Sequence, residues 1–306
     1  MSSPGPARFP ALLRGAGLAG WAALLAGCTT TPAAPPDWTA WKAKRLNSVA
    51  GTNGWTTLVG LHWLREGANA AGSAPTNDVV LPMGRSAPFI GEFIRSGDAV
   101  QFAAAPGTIA SVDGLSVTET TLISDRTPPP SRLVVGPLSM VVIDRSGRIG
   151  LRVRDPESPW RQHFQGIRCY PYDPSWRIEG RFEPFAEPRT LRVPSMIGGT
   201  EDFPSPGALV FRHNGTEYRL DVAVESEEPD YFVLFRDTTA GRTTYGSGRF
   251  LYVTPPDASG RVILDFNRAY TPPCGFTPFA TCPLPPPQNR LPFPIPAGER
   301  APEGHP

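Results

Sequence analysis

The sequence predicts a mainly β protein: an N-terminal β-sandwich over residues 38–155, then a second antiparallel β-sheet or open barrel over 177–300, with one short N-terminal helix. Three observations predict it. The 38 prolines and 31 glycines make up a little over a fifth of the 306 residues, which multiplies turns and leaves few long helices. Short runs alternate apolar and polar residues at period two, the mark of half-buried strands. Turn dipeptides fall between those runs, among them Ser146-Gly147 and Asn214-Gly215, the latter the preferred pair for a two-residue type I′ hairpin.

The helix is predicted near the start of the folded part. Asp37 is a good N-cap, and Trp38, Trp41, Leu46 and Val49 fall roughly on one face, with Arg45 interrupting the stripe. Two apolar runs between Gly54 and Pro82 follow, then short strands and turns up to Asp155. In the last of these, Leu151 and Val153 alternate with Arg152 and Arg154. Residues 156–176 mix prolines with large aromatics and read as a connecting segment. Beyond it, strands are expected in "RIEGRFEPF" and "RTLRVPSM", in the hairpin "ALVFRHNGTEYRLDVAVES", and in "YFVLFRD", "GRFLYVT" and "RVILDFN". Residues 301–306 read as a tail, and there is no internal repeat.

The N-terminus determines where such a chain is expected to work. Arg8 and Arg14 precede an apolar run from Gly15 to Ala26, the layout of a secretory signal over residues 1–27. A run of about 12 residues is too short to span a bilayer, which needs about 20. It ends in Leu25-Ala26-Gly27-Cys28, which resembles the lipobox of bacterial lipoproteins. That resemblance implies cleavage before Cys28, lipidation of its thiol and a membrane anchor. Residues 28–37 then read as a Pro-rich tether. Thr29, rather than Asp, implies sorting to the outer membrane, with the chain facing the periplasm. The removed stretch holds two of the 29 Lys+Arg and none of the 28 Asp+Glu, leaving 27 against 28. No basic field for nucleic acid exists in that balance.

Two regions invite a functional reading. "GSAPTNDVVLP" and the strands after it resemble the forkhead-associated sandwich, whose phosphothreonine site needs a Gly-Arg pair and a Ser-x-x-His loop. Here Ser73 follows Gly72 and no histidine follows in "MGRSAPFIGEF", so the resemblance implies a degenerate, binding-dead version of that fold. The other region is "FRDTTAGRTTYGSGRFLYV", residues 235–253, with "LDFNRAY" as its natural partner. Asp237, Thr244, Tyr245, Arg249, Asp265 and Asn267 are candidates to converge on a small polar ligand or an envelope-protein partner, bound through the C-terminal β domain. The runner-up is an envelope hydrolase acting through a carboxylate or a cysteine, which needs Asp265 or Cys274 beside a base. A third is a purely structural or assembly lipoprotein. No spacing among His62, His163, His213 and His305 forms a metal motif, and no sequence feature calls for a cofactor.

Gly54-Trp55, "GLHWL", "GSAPTNDVVLP", "GLRVRDPESP", "DTTAGRTTYGSGRFLY", "LDFNRAYTPPCGFTPFATCPLPPPQNRLP" and "AGE" together resemble the bacterial and archaeal family known as domain of unknown function 1684, over about residues 40 to 300. The resemblance implies no activity. It draws attention to Asp237, Thr238, Gly241, Thr244, Tyr245, Gly246, Arg249, Asp265, Asn267, Tyr270, Cys274, Cys282, Pro283, Asn289 and Leu291. Cys169 stands where another, often aromatic, residue is expected. An exported chain meets an oxidising compartment. With Cys28 lipidated, Cys274 and Cys282 are expected to form a disulfide that pins the Pro-rich segment, leaving Cys169 a buried free thiol.

Overall fold

In the computed structural model the described residues are 1–3, 5, 34–225 and 228–303. Cys28, its lipobox and most of the tether lie outside them. Helix α1 spans Pro36–Ala50. Its N-cap is Pro35, so Asp37 occupies the first turn rather than the cap, where its carboxylate pairs with Arg268. The buried face also differs from the expected stripe. Trp38 and Val49 are buried while Leu46 is 44% exposed, and Arg45 points inward to Glu299. Positions 38, 41, 45 and 49 keep the 3.6-residue period better than a stripe through 46, and the buried Glu299 carboxylate allows an arginine on that face.

Next comes the sandwich. One six-stranded sheet runs in the order Leu58–Trp63, Arg148–Arg154, Leu138–Arg145, Leu133–Val135, Ala110–Val112, Leu115–Val117. The facing five-stranded sheet runs Val79–Val80, Gly67–Gly72, Gly91–Ser96, Ala99–Ala104, Glu119–Leu122. Pairing is antiparallel except for Val79–Val80, which lies parallel to its neighbour. One core joins the two sheets, with Phe93, Phe102, Leu133, Met140, Leu151 and Val153 at its centre. Leu151 and Val153 point into that core, which turns Arg152 and Arg154 to the outer face of the six-stranded sheet.

The second half carries two further antiparallel sheets. A four-stranded sheet runs Thr216–Asp221, Thr200–His213, Arg177–Pro194, Arg261–Asp265, and a two-stranded one joins Tyr231–Phe235 to Arg249–Val253. Phe211, Leu220, Val233, Leu251, Leu264 and Phe266 share their core. The two strands expected at 177–194 are one 18-residue strand, whose register shifts between Pro184 and Arg189. Pro184 and Pro188 cannot donate to a ladder, so the shift falls where the hydrogen bonding must lapse. Both predicted hairpin turns form: Arg145 pairs with Arg148 and His213 with Thr216. Ser146-Gly147 and Asn214-Gly215 all have positive φ, as type I′ requires.

Candidate functional site

The six residues nominated by the sequence form braces. Arg249 has no exposed surface and Asp237 is 5% exposed. Arg249 Nη2 lies 3.1 Å from Asp237 Oδ1 and donates to the Ile295 carbonyl at 2.9 Å, while Nη1 donates to the Ala297 carbonyl. The other Asp237 oxygen accepts from the Ile295 N–H at 2.8 Å and the Thr239 hydroxyl at 2.6 Å, and Thr239 in turn meets the Thr244 hydroxyl at 2.8 Å. Gly248 makes the entry to this strand possible: its φ is +108° and an added Cβ would stand 2.6 Å from the Phe235 carbonyl oxygen. The unit is a buried ion pair with its further acceptors supplied by the segment 295–297, so its polar density serves the fold.

Asn267, also buried, grips the connecting segment: its Oδ1 accepts from the Asp173 N–H and its Nδ2 donates to the Asp173 carbonyl, both at 2.9 Å. Asp265 Oδ1 accepts from the backbone and side chain of Asn267. The Tyr245 hydroxyl donates to the Cys274 carbonyl at 3.1 Å. None of the six lines the large cleft described below.

Cys274 and Cys282 are buried neighbours, both present as thiols, with the Cys274 N–H donating to the Cys282 sulfur at 3.2 Å. The adjoining Cys274 and burial push the Cys282 thiol well up. Cys169 is a free thiol, only partly buried rather than fully so, and burial pushes it up to about 11. Those two thiols are poor nucleophiles, because the thiolate is the reactive form; the Cys274 thiol is instead held below its ordinary value by its hydrogen bond with Cys282, against burial.

A cleft of about 1240 Å³ opens elsewhere in the fold. Helix α1 contributes Trp41, Lys44 and Arg45; the sandwich contributes Arg126, Arg145 and Arg152 with Trp55; the second half contributes Phe232, Phe250, Tyr252 and Tyr270. The aromatic floor is ordered. Tyr252 stacks against Phe232 and Tyr270 at centroid distances of 5.3 and 6.0 Å, and Arg45 lies 4.7 Å over Tyr270. Arg45 is held by Glu299 Oε1 at 2.8 Å, and Glu299 Oε2 accepts the Thr271 N–H at 2.8 Å. Burial raises the Glu299 carboxyl above its ordinary range, against the pull of Arg45.

Arg152 stands apart from the other cleft arginines of the sandwich. Arg126 pairs with Asp144 at 2.8 Å and Arg145 with Asp125 at 2.7 Å. Arg152 pairs with no carboxylate among the described residues; its hydrogen bond is from Nη2 to the Thr281 hydroxyl at 3.4 Å, and its buried Nε has no partner. Desolvation, reinforced by Arg145 and Arg154, brings its pKa down to about 10. A Glu201 Oε1 on the cleft wall is likewise buried without a partner. Leaving such atoms unpaired costs roughly 1–3 kcal/mol each, more where charge is involved. The sequence singled out neither residue. The one signal for Arg152 was its place on a strand whose inner residues are apolar.

A family model described as "Protein of unknown function (DUF1684)" matches residues 162–300. An uncharacterized protein of Haloarcula marismortui, solved in solution, is similar at 31% identity over 49% of this chain and 85% of its own, with a TM-score of 0.41. The FhaA FHA domain, solved in complex with the intracellular domain of Rv3910, is 19% identical over 30% of this chain and 86% of its own, with a TM-score of 0.22. A structure from work on phosphothreonine-dependent FHA domain interactions gives 19%, 31%, 92% and 0.22 for the same measures. No curated protein matches. The second half of the fold, from the connecting segment through the Arg249 lock to Glu299, is thus the part that the family model describes, and the chain belongs to the DUF1684 family of proteins of unknown function.

Proposed function

We propose that this chain is an exported, lipid-anchored protein of the cell envelope that binds a small polar ligand in the cleft between α1, the sandwich and the second half. The basic n-region, apolar run and Leu25-Ala26-Gly27-Cys28 support the anchor at Cys28 and the periplasmic face of the outer membrane as its place. One observation carries the binding reading: a large aromatic-floored cleft retains an arginine, Arg152, that has no carboxylate partner among the described residues and a buried Nε without a hydrogen bond. Ligand sites combine an apolar surface with a few convergent polar groups in this way. The test is a thermal-shift screen of small metabolites on the mature chain and on Arg152→Gln. Binding reads as compounds that raise the melting temperature of the parent and not of the variant; a screen with no Arg152-dependent hit overturns it. For the anchor, cells fed labelled palmitate should label the parent chain, and Cys28→Ser should lose the label.

The Cys274–Cys282 pair is proposed to close as a disulfide after export. Burial side by side supports this, as does a chain segment whose prolines leave few backbone hydrogen bonds to hold it. A non-reducing peptide map of protein from the envelope reads it directly, and two free thiols there would overturn it.

A further inference from the structure

The class of ligand follows from how charge is arranged around the cleft, and this inference rests on the cleft being a binding site. On the sandwich wall the pairs Arg126–Asp144 and Arg145–Asp125 cancel, so Arg152 supplies the unbalanced positive charge there. The Thr281 hydroxyl oxygen accepts from Arg145 Nε at 3.1 Å and from Arg152 Nη2 at 3.4 Å. With both lone pairs engaged, its proton is left to donate. The Nη groups of Arg152, which lines the cleft, form a flat donor edge, while its Nε is covered. A carboxylate matches that edge, taking two in-plane N–H bonds while the neighbouring hydroxyl donates to one of its oxygens. On this wall one cation without a carboxylate partner and one hydroxyl suit a monoanion better than a phosphate dianion.

The wall contributed by the second half has the opposite sign. Glu201, Asp202, Glu225, Glu228 and Asp230 line it. Asp202 is engaged by Arg192 and Glu225 accepts from the Tyr252 hydroxyl at 2.5 Å, while the buried Glu201 Oε1 has no partner. A polyanion entering the cleft is repelled by this wall, whereas a ligand bearing an ammonium is drawn to it. Phe203, Phe232 and Tyr252 offer apolar faces to the body of such a ligand. We infer that the cleft binds a zwitterion, its carboxylate on Arg152 and Thr281 and its ammonium toward Glu201, the class to which amino acids and short peptides belong.

The test is calorimetric titration of the detergent-solubilised mature chain with the tripeptide Ala-Phe-Ala in four forms: free, C-terminally amidated, N-terminally acetylated, and blocked at both ends. The free form should bind, and each block should weaken binding by about tenfold or more, as loss of a charged partner does. In Arg152→Gln the free and amidated forms should bind equally weakly; in Glu201→Gln the free and acetylated forms should. Thr281→Val removes the hydroxyl alone and should weaken the free form more than the amidated one, which keeps the inference testable if Arg152→Gln fails to fold. Equal binding of all four forms overturns the inference, as does inorganic phosphate displacing the peptide more effectively than acetate does. No binding of the peptide or of free amino acids, alongside an Arg152-dependent hit of another class in the metabolite screen, overturns the ligand class and leaves the cleft standing. No Arg152-dependent binding of any compound overturns both.

Discussion

Arg249 and Arg152 are both withdrawn from bulk water, and the difference between them separates fold from site. Arg249 faces Asp237 and two backbone carbonyls and does not line the cleft. Arg152 faces a cleft and holds one long hydrogen bond to a hydroxyl. Neither burial nor an idle Nε distinguishes them, since Nε is without a partner in both. The counter-charge and the open space do. Arg154, two residues along the same strand, lacks a carboxylate too, but it donates to the Gly54 carbonyl at 2.7 Å and Thr57 Oγ1 at 3.1 Å. It is a brace, and it shows that a missing acid alone marks no site.

The comparison breaks first at Asp237. Asp237→Ala should destabilise the fold by about 3–5 kcal/mol, because it leaves a buried guanidinium without its counter-ion, and urea denaturation at neutral pH reads this. A loss below about 1 kcal/mol would mean that Arg249 resembles Arg152 after all. Next in size is reduction of the proposed Cys274–Cys282 disulfide. A ring of nine residues implies about 2–3 kcal/mol on the chain-entropy model, read as a lower melting temperature of envelope-derived protein in dithiothreitol. Arg152→Gln should change stability by about 1 kcal/mol or less, since the desolvation and repulsion it relieves offset a weak bond to Thr281. A large loss by the same denaturation would make Arg152 structural.

The smallest expected effect is the acid dependence of Asp257, in the turn before Arg261–Asp265. Hydrogen bonds from the Ser259 side chain and backbone, then from Arg261, lower its carboxyl from 3.8 to about 2. A depressed acid contributes stability that is complete above its unfolded value and is lost as pH falls through the folded one. Asp257→Asn should therefore flatten the stability curve between about pH 4 and 2, and leave neutral stability nearly unchanged. Denaturant midpoints measured across that interval check it.

The class of fold was legible because hairpins are local. Asn214-Gly215 and Ser146-Gly147 dictate their own turns, and period-two runs dictate the strands beside them. The long strand Arg177–Pro194 was misread as two because prolines mark an interruption of pairing, and the chain continues through it as a bulge. The site was less legible. Polar density around Asp237 and Arg249 resembled a ligand site, yet density along the chain also builds a buried lock. Arg152 looked like the wet side of a strand. Alternation reports which residues face the sandwich core; it cannot report that the outer face meets α1 and the second half instead of solvent. The cleft is assembled from three distant stretches, which a reading in sequence order keeps apart.

The Arg249 lock also sets an order in time. Its acceptors belong to Ile295 and Ala297, and the Glu299 that holds Arg45 of α1 comes two residues later. A chain emerging N-terminus first can close its sandwich early, because that core draws on residues 59–153. The second half must wait, its Arg249–Asp237 pair lacking the two carbonyl acceptors until residues 295–297 arrive. Chains cut short at Pro294 should thus carry a finished sandwich and an unfinished second half, readable as protease sensitivity confined to residues beyond 155. Synthesis as far as Glu299 becomes a condition of folding the second half, and the segment 295–299 its checkpoint.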